Sequence, residues 1–144
     1  MNMIGSPFFP HLTATNHQVT SPATINYNCI AWAAGDTTHW WQPDVYWPIP
    51  APPTACDIPS LIAAFRAIGF ELCVDGSIEA GFEKVVLYGD STFYLHAAKQ
   101  LATGKWSSKL GDDVDIEHDT PENVAGGAYG NVVHFMKRPE PAGN

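Results

Sequence analysis

The sequence predicts a single α+β domain in which N-terminal helices pack on an antiparallel sheet. The chain has 144 residues, the usual size of one domain, and 45% of its residues are hydrophobic, which is enough to bury a core. Helical patterns occur before residue 70, and from Phe70 onward strand-like segments follow one another with short connections rich in Gly or Asp. Because short connections join antiparallel neighbours, we expect a meander of strands behind the helices.

The N-terminal part of the chain is predicted to be rich in loops. Residues 1 to 25 carry scattered Pro, Thr and Asn without a hydrophobic period, so we expect an irregular segment there. Residues 36 to 56 combine many prolines with the tryptophans Trp40, Trp41 and Trp47. This stretch is too aromatic for a disordered linker, and we expect an ordered loop laid across the body of the domain.

Two helices are predicted from their capping residues. Asn28 is suited to the N-cap of a short run from residue 29 to 34, and Gly35 suits the left-handed position after its last turn. The second helix begins near Asp57 and ends at Gly69, and its apolar side should lie on the sheet. The residues of that side are Leu61, Ile62, Phe65 and Ile68.

Five strands are predicted after the second helix. Their sequences are FELCVD, FEKVVLYGD, TFYLHAAKQLA, KWSSKL and NVVHFMKR. Alternation in the third of them places His96 on one face together with Tyr94, Ala98 and Gln100.

Composition excludes several classes of partner and of site. The formal net charge of -8 repels phosphate backbones and anionic lipids, so we expect neither nucleic acid nor a membrane surface as a partner. There is no membrane-length apolar run and no basic N-terminal region, which predicts a cytoplasmic protein or one delivered without a classical signal peptide. No short Cys or His motif predicts a metal, and the acidic segment DDVDIEH is expected to be a solvated turn.

Cys29 is the residue whose position points to chemistry. A cysteine in the first turn of a helix lies where free N–H groups and the helix dipole stabilise a thiolate, so we expect a lowered pKa and a nucleophile. His96 is the candidate proton carrier, because its strand leaves room beside the imidazole. The group that holds this ring is left open among residues of the next strand and its end, namely Ser107, Ser108, Asp112 and Asp113.

The other cysteines and histidines lack comparable neighbours in the sequence. An odd number of three cysteines argues against a disulfide framework, and Cys56 and Cys73 are expected to be structural. The remaining histidines, which we expect to have no role in catalysis, are His11, His17, His39, His118 and His134.

The strings YNCIAWAAGD, FEKVVLYGDSTFYLHAAKQLATGKWSSKLG, DIEH and YGNVVHFMKRP resemble a small bacterial domain family of unknown function associated with papain-like, NlpC/P60-type cysteine peptidases. The resemblance covers residues 26 to 138. It implies a papain-like fold with Cys29 as nucleophile, His96 as base, and a polar third residue about 12 positions further on. That position is Ser108, where such enzymes usually have His, Asn or Asp, and Asp112 is the alternative third residue.

The resemblance also implies where an oxyanion would bind. Papain-like enzymes place a glutamine some six residues before the nucleophile, but position 23 is an alanine here. The backbone N–H of Cys29, with the side chain of Asn28, would have to serve instead.

We therefore expect a cysteine hydrolase, a peptidase or amidase, that forms an acyl-enzyme and needs no metal or organic cofactor. Its partner would be a protein or peptide substrate, and an immunity protein if the chain is an antibacterial toxin, as some small enzymes resembling this clan are. Two alternatives stay open. One is a non-catalytic module that holds a peptide or glycan with the Trp loop, and the other is a deamidase or acyltransferase that uses the same Cys and His.

Overall fold

The structure is a computed structural model that describes residues 8–22, 24, 26–50, 55–110 and 114–140. Within these residues the chain forms an α+β domain with a seven-stranded antiparallel sheet and two short α-helices, which confirms the predicted class. A single 3-10 turn spans Pro121–Val124. The elements are β1 (His17–Ser21), α1 (Cys29–Ala34), α2 (Ile58–Ala67), β2 (Glu71–Cys73), β3 (Phe82–Gly89), β4 (Tyr94–Gln100), β5 (Trp106–Lys109), β6 (Asp115–His118) and β7 (Asn131–Pro139).

Both predicted helices are present with their predicted caps. The side chain of Asn28 accepts a hydrogen bond of 3.0 Å from the Ala31 N–H at the start of α1, and Gly35 ends that helix with a φ of 86°. Asp57 accepts a hydrogen bond of 3.0 Å from the Ser60 N–H at the start of α2. These bonds satisfy N–H groups that the first turn of a helix leaves free, which is why the two helices begin where they do.

The strand order in the sheet is β1-β6-β5-β4-β3-β7-β2. Strands β3 to β6 form the expected meander of antiparallel neighbours. The last strand departs from it, because β7 crosses to the far side of β3 and pairs with it from Phe82 opposite Pro139 to Gly89 opposite Asn131. This pairing along nearly all of β3 explains why β7 does not lie beside β6.

Two strands fall where the sequence predicted none. Strand β1 lies in the segment expected to be irregular, and it precedes α1, so the helices are not an N-terminal layer as predicted. It is an edge strand with three exposed central residues and therefore has no hydrophobic alternation. Strand β6 lies in the acidic segment expected to be a solvated turn. It is buried because it pairs with β1 on one side and β5 on the other.

The two faces of the sheet carry separate cores. The face covered by α1 and α2, which we call the helix face, includes the buried residues Ile30, Ala31, Leu61, Phe65, Leu87 and Ala97. The opposite face, which we call the loop face, is covered by irregular segments and includes Phe9, Leu12, Tyr88, Ala98, Ile116 and Val124. Alternation along β3 and β4 sends neighbouring residues such as Ala97 and Ala98 to opposite faces.

Over its described residues, 36–50 and 55–56, the tryptophan-rich loop packs against the helix face. Trp41 and Trp47 are only 4% and 7% exposed, and both belong to the core of the helix face. The loop is tied to α1 because the Asn28 amide donates to the Trp41 carbonyl over 2.8 Å and accepts from the Trp41 N–H over 3.1 Å. Trp40 is partly exposed, so two of the three tryptophans serve packing.

Candidate active site

Cys29 is the first residue of α1 and packs, partly exposed, against the core of the helix face. Burial raises the pKa of its thiol to about 11. Backbone N–H groups of Ala97, Ile30 and Cys29 itself act in the opposite direction, as does the positive charge of Lys109, but they do not overcome burial. The thiol is therefore neutral at physiological pH, and the lowered pKa expected from the helix terminus is wrong for this arrangement.

Cys29 packs against the core of the helix face, to which Ala97 of β4 also belongs. The backbone N–H of Ala97 is one of the groups that favour its thiolate. Cys29 and the side chain of Ala97 therefore lie on the same face of the sheet.

His96 lies in β4 next to Ala97, but its side chain is on the loop face. It pairs across the sheet with Tyr88 and is fully buried. Its ring stacks on Tyr129, with centroids 3.9 Å apart and planes 2° from parallel. Burial, and secondarily the charge of His118, hold the pKa of His96 well below its ordinary value. His96 is thus a neutral imidazole packed against the rings of Tyr88 and Tyr129.

A chain of hydrogen bonds runs from His96 into β6. The Nε2 atom of His96 is 3.0 Å from the hydroxyl oxygen of Ser108. The same oxygen is 2.7 Å from Nε2 of His118, whose Nδ1 atom is 2.8 Å from the carbonyl oxygen of Thr120. All three side chains of this group, which we call the His-Ser-His chain, are completely buried.

The structure does not join Cys29 to His96. The Nε2 atom of His96 is bonded to Ser108, and its Nδ1 atom is a buried nitrogen without a hydrogen-bond partner. Neither ring nitrogen therefore contacts the thiol. Of the residues predicted for the site, His96 and Ser108 are brought together on the loop face, whereas Cys29 packs on the helix face.

Comparison with known protein families identifies the family of this chain. The family described as Domain of unknown function (DUF7689) matches residues 18–137. The chain belongs to the DUF7689 family. No curated protein and no solved structure matches it. This match shows no link to papain-like or NlpC/P60-type peptidases.

Two other residues were predicted for the site of this DUF7689 domain, Asn28 and Asp112, and the structure describes only the first. Asn28 is confirmed as the helix cap, and its amide holds the Trp41 backbone, so one of its two amide protons is already engaged. Asp112 lies outside the described residues. Among the described residues, neither helix is long and apolar enough to cross a membrane.

His118 is the residue of the site that the sequence analysis missed. It occurs in DIEH, whose charges suggested a turn, and it was set aside with the histidines that lack neighbours. A period-2 interpretation of the same four residues places Ile116 and His118 on one face, and Ser108 pairs directly with Ile116. Treating DIEH as a strand would therefore have brought His118 beside Ser108.

Access to the site is limited to the Cys29 side, since the His-Ser-His chain has no exposed atoms. An open groove of about 500 Å³ lies elsewhere, along α2 and the β2 and β7 strands. Its lining includes Ile58, Ile62, Arg66, Leu72 and Val133, and neither Cys29 nor His96 contributes to it.

Proposed function

We propose that this DUF7689 domain is a cysteine hydrolase, a peptidase or amidase of papain-like type, in which Cys29 forms an acyl-enzyme. One observation carries the proposal. His96 is held through Nε2 by Ser108, which leaves Nδ1 as a buried nitrogen with no hydrogen-bond partner. A nitrogen kept free in this way is available to accept a proton.

The chemistry follows the ordinary steps of nucleophilic catalysis. His96 takes the thiol proton as the Cys29 sulfur attacks the carbonyl carbon of the substrate, and the resulting oxyanion accepts hydrogen bonds from the first N–H groups of α1. The side chain of Asn28 is the proposed second donor. His96 then gives its proton to the leaving amine, and the C–N bond breaks. Water attacks the thioester with His96 again as base, the C–S bond breaks to release the carboxylic acid, and the proton held by His96 returns to the Cys29 sulfur. Neither a metal nor an organic cofactor takes part in these steps.

A closing motion is part of the proposal, because Cys29 and His96 are not in contact at rest. Burial raises the pKa of the thiol and lowers that of the imidazole, so both shifts favour a neutral pair over an ion pair. The two groups can thus approach without either charge being desolvated.

The same Cys29 and His96 also support deamidation or acyl transfer, since an amine can resolve the thioester in place of water. A protein or peptide is the proposed substrate in each case. If the chain acts as a delivered antibacterial toxin, a cognate immunity protein would cover this site.

The rival function is a non-catalytic binding module on the same fold. It is favoured by the separation of Cys29 from His96 and by the raised pKa of the thiol. The tryptophan loop contributes little to it, because Trp41 and Trp47 are core residues and Trp40 alone is partly exposed.

Substrate screening with matched cysteine variants separates the two functions. The purified chain is incubated with a mixed peptide library and with purified peptidoglycan, and products are identified by mass spectrometry. We expect products that vanish in Cys29→Ala and persist in Cys56→Ala, because Cys56 is exposed and has no role in the site. Products that survive Cys29→Ala would overturn the hydrolase proposal. So would the absence of any product from the wild-type chain.

A further inference from the structure

The position of His118 indicates a role in hydrogen bonding as well as in packing. It is completely buried in β6, between the edge strand β1 and β5, and it is the second histidine bonded to the hydroxyl group of Ser108. A serine hydroxyl has one proton to donate and two lone pairs. Two histidines on one hydroxyl therefore cannot both accept a proton from it, and their protonation patterns must be linked.

The hydrogen bond between His118 and Thr120 shows where each proton of the His-Ser-His chain lies. The Thr120 carbonyl can only accept, so the Nδ1 atom of His118 that lies 2.8 Å away carries a proton. Burial lowers the pKa of His118 to about 4, so the ring is neutral and its Nε2 atom bears a lone pair. Ser108 must donate its only proton to that Nε2 atom over 2.7 Å.

The donor in the remaining hydrogen bond, between His96 and Ser108, then follows. With its proton given to His118, Ser108 can only accept from His96 over the distance of 3.0 Å, so Nε2 of His96 is protonated. A neutral imidazole has one N–H, which leaves Nδ1 of His96 bare, and this atom has no partner.

We propose that His118 is a positioning residue, which acts through Ser108 to fix His96 in the tautomer whose Nδ1 atom can accept a proton. Its catalytic consequence rests on the proposed function, whereas the tautomers themselves do not. Without His118, the Ser108 hydroxyl is free to donate to Nε2 of His96, and the ring then carries its proton on Nδ1. A base in that tautomer cannot take the proton of Cys29.

Nuclear magnetic resonance of the histidine ring nitrogens tests the tautomers in the folded chain without any substrate. With ring nitrogens labelled by ¹⁵N and assigned through single histidine substitutions, we expect His96 protonated on Nε2 and His118 protonated on Nδ1. His118→Leu removes the acceptor and should move the His96 proton to Nδ1. His118→Gln is the matched control, because its side-chain oxygen can still accept from Ser108, and it should leave His96 unchanged.

Two outcomes would overturn the proposal. One is a wild-type His96 protonated on Nδ1, and the other is a His118→Leu chain in which His96 keeps its proton on Nε2. If His118→Leu does not fold, Ser108→Ala serves in its place. It should leave the proton of His118 on Nδ1, since Thr120 still accepts it, while His96 becomes a mixture of both tautomers.

A kinetic measurement connects the tautomer to the reaction. With any product found in the substrate screen, His118→Leu should lower kcat by about 10²- to 10⁴-fold, the usual contribution of a general base, with little change in KM. His118→Gln should retain most of the activity. Activity that does not depend on Cys29 would end the hydrolase proposal while leaving the tautomers intact. Equal activity of the Leu and Gln variants would end the positioning role alone.

Discussion

The two faces of the sheet differ in what covers them and in what they bury. The helix face is closed by α1, α2 and the tryptophan loop, and its core is aliphatic and aromatic. The loop face is closed by irregular segments, and it buries the His-Ser-His chain together with its apolar core. On the helix face, the start of α1 places the Cys29 thiol near the N–H groups of its first turn. On the loop face, paired strands hold the His-Ser-His chain at fixed spacing.

This difference separates the two halves of the proposed site. Cys29 is positioned by a cap and a helix start, which are local features. His96, Ser108 and His118 are positioned by the register of three strands, which is a long-range feature. In the structure the two halves lie on opposite faces of the sheet, and no hydrogen bond joins Cys29 to His96. The free energy of unfolding should therefore depend on side-chain volume at buried residues of the helix face. It should depend on the protonation of the buried histidines on the loop face.

The largest expected effect is on the helix face. Phe65 is fully buried in α2 and contacts Phe70 and Trp41, with ring centroids 5.4 and 6.2 Å away. Phe65→Ala should lower the free energy of unfolding by about 3–5 kcal/mol, because it removes a buried ring and leaves a cavity. Urea unfolding measures this value. Phe93→Ala, at a ring that is 47% exposed, is the control and should cost far less. Equal losses would mean that α2 does not close this core.

The next effect is a loss of stability in acid that originates on the loop face. The pKa of His118 falls from 6.5 to about 4 on folding, chiefly because burial disfavours its charged form, while nearby Asp119 favours and His17 opposes that form. The unfolded chain thus binds more protons than the folded chain, so stability is full above 6.5 and declines as the pH falls toward 4. The decline from this residue should be about 3 kcal/mol.

Urea unfolding as a function of pH measures this decline, and His118→Gln is its control. Glutamine does not titrate, so the variant should lose part of the slope between 6.5 and 4 while keeping the part that His96 contributes. Identical pH profiles for the two chains would show that His118 is not buried as a neutral ring.

The smallest effect is on reactivity and leaves stability unchanged. Because the pKa of Cys29 is raised to about 11, only about one thousandth of this thiol is ionised near pH 8. Iodoacetamide should therefore alkylate the exposed Cys56 before Cys29 in the folded chain. In urea the two rates should become similar. Faster labelling of Cys29 in the folded chain would indicate that the thiol already contacts His96, and it would remove the separation between the faces.

The parts of the fold that the sequence predicted correctly are those with local signals. Both helices begin at side chains that cap them, and the strands of the meander follow from alternation and short turns. Strands β1 and β6 could not be found in this way. HQVTS has one aliphatic residue, and DIEH owes its burial to pairing on both sides, which four residues do not reveal.

The same distinction between local signals and long-range pairing applies to the candidate site. From the sequence it followed that Cys29 begins a capped helix and that a polar residue of the strand after His96, or of its end, could hold the His96 ring. A cap lies within three residues, and two strands joined by a short turn have a restricted register. Three other properties came only from the folded structure. It placed His118 on Ser108, it set His96 and Cys29 apart, and it made both groups neutral. These properties depend on which distant strands pair and on how much water they exclude, and neither is encoded in any short stretch of the chain.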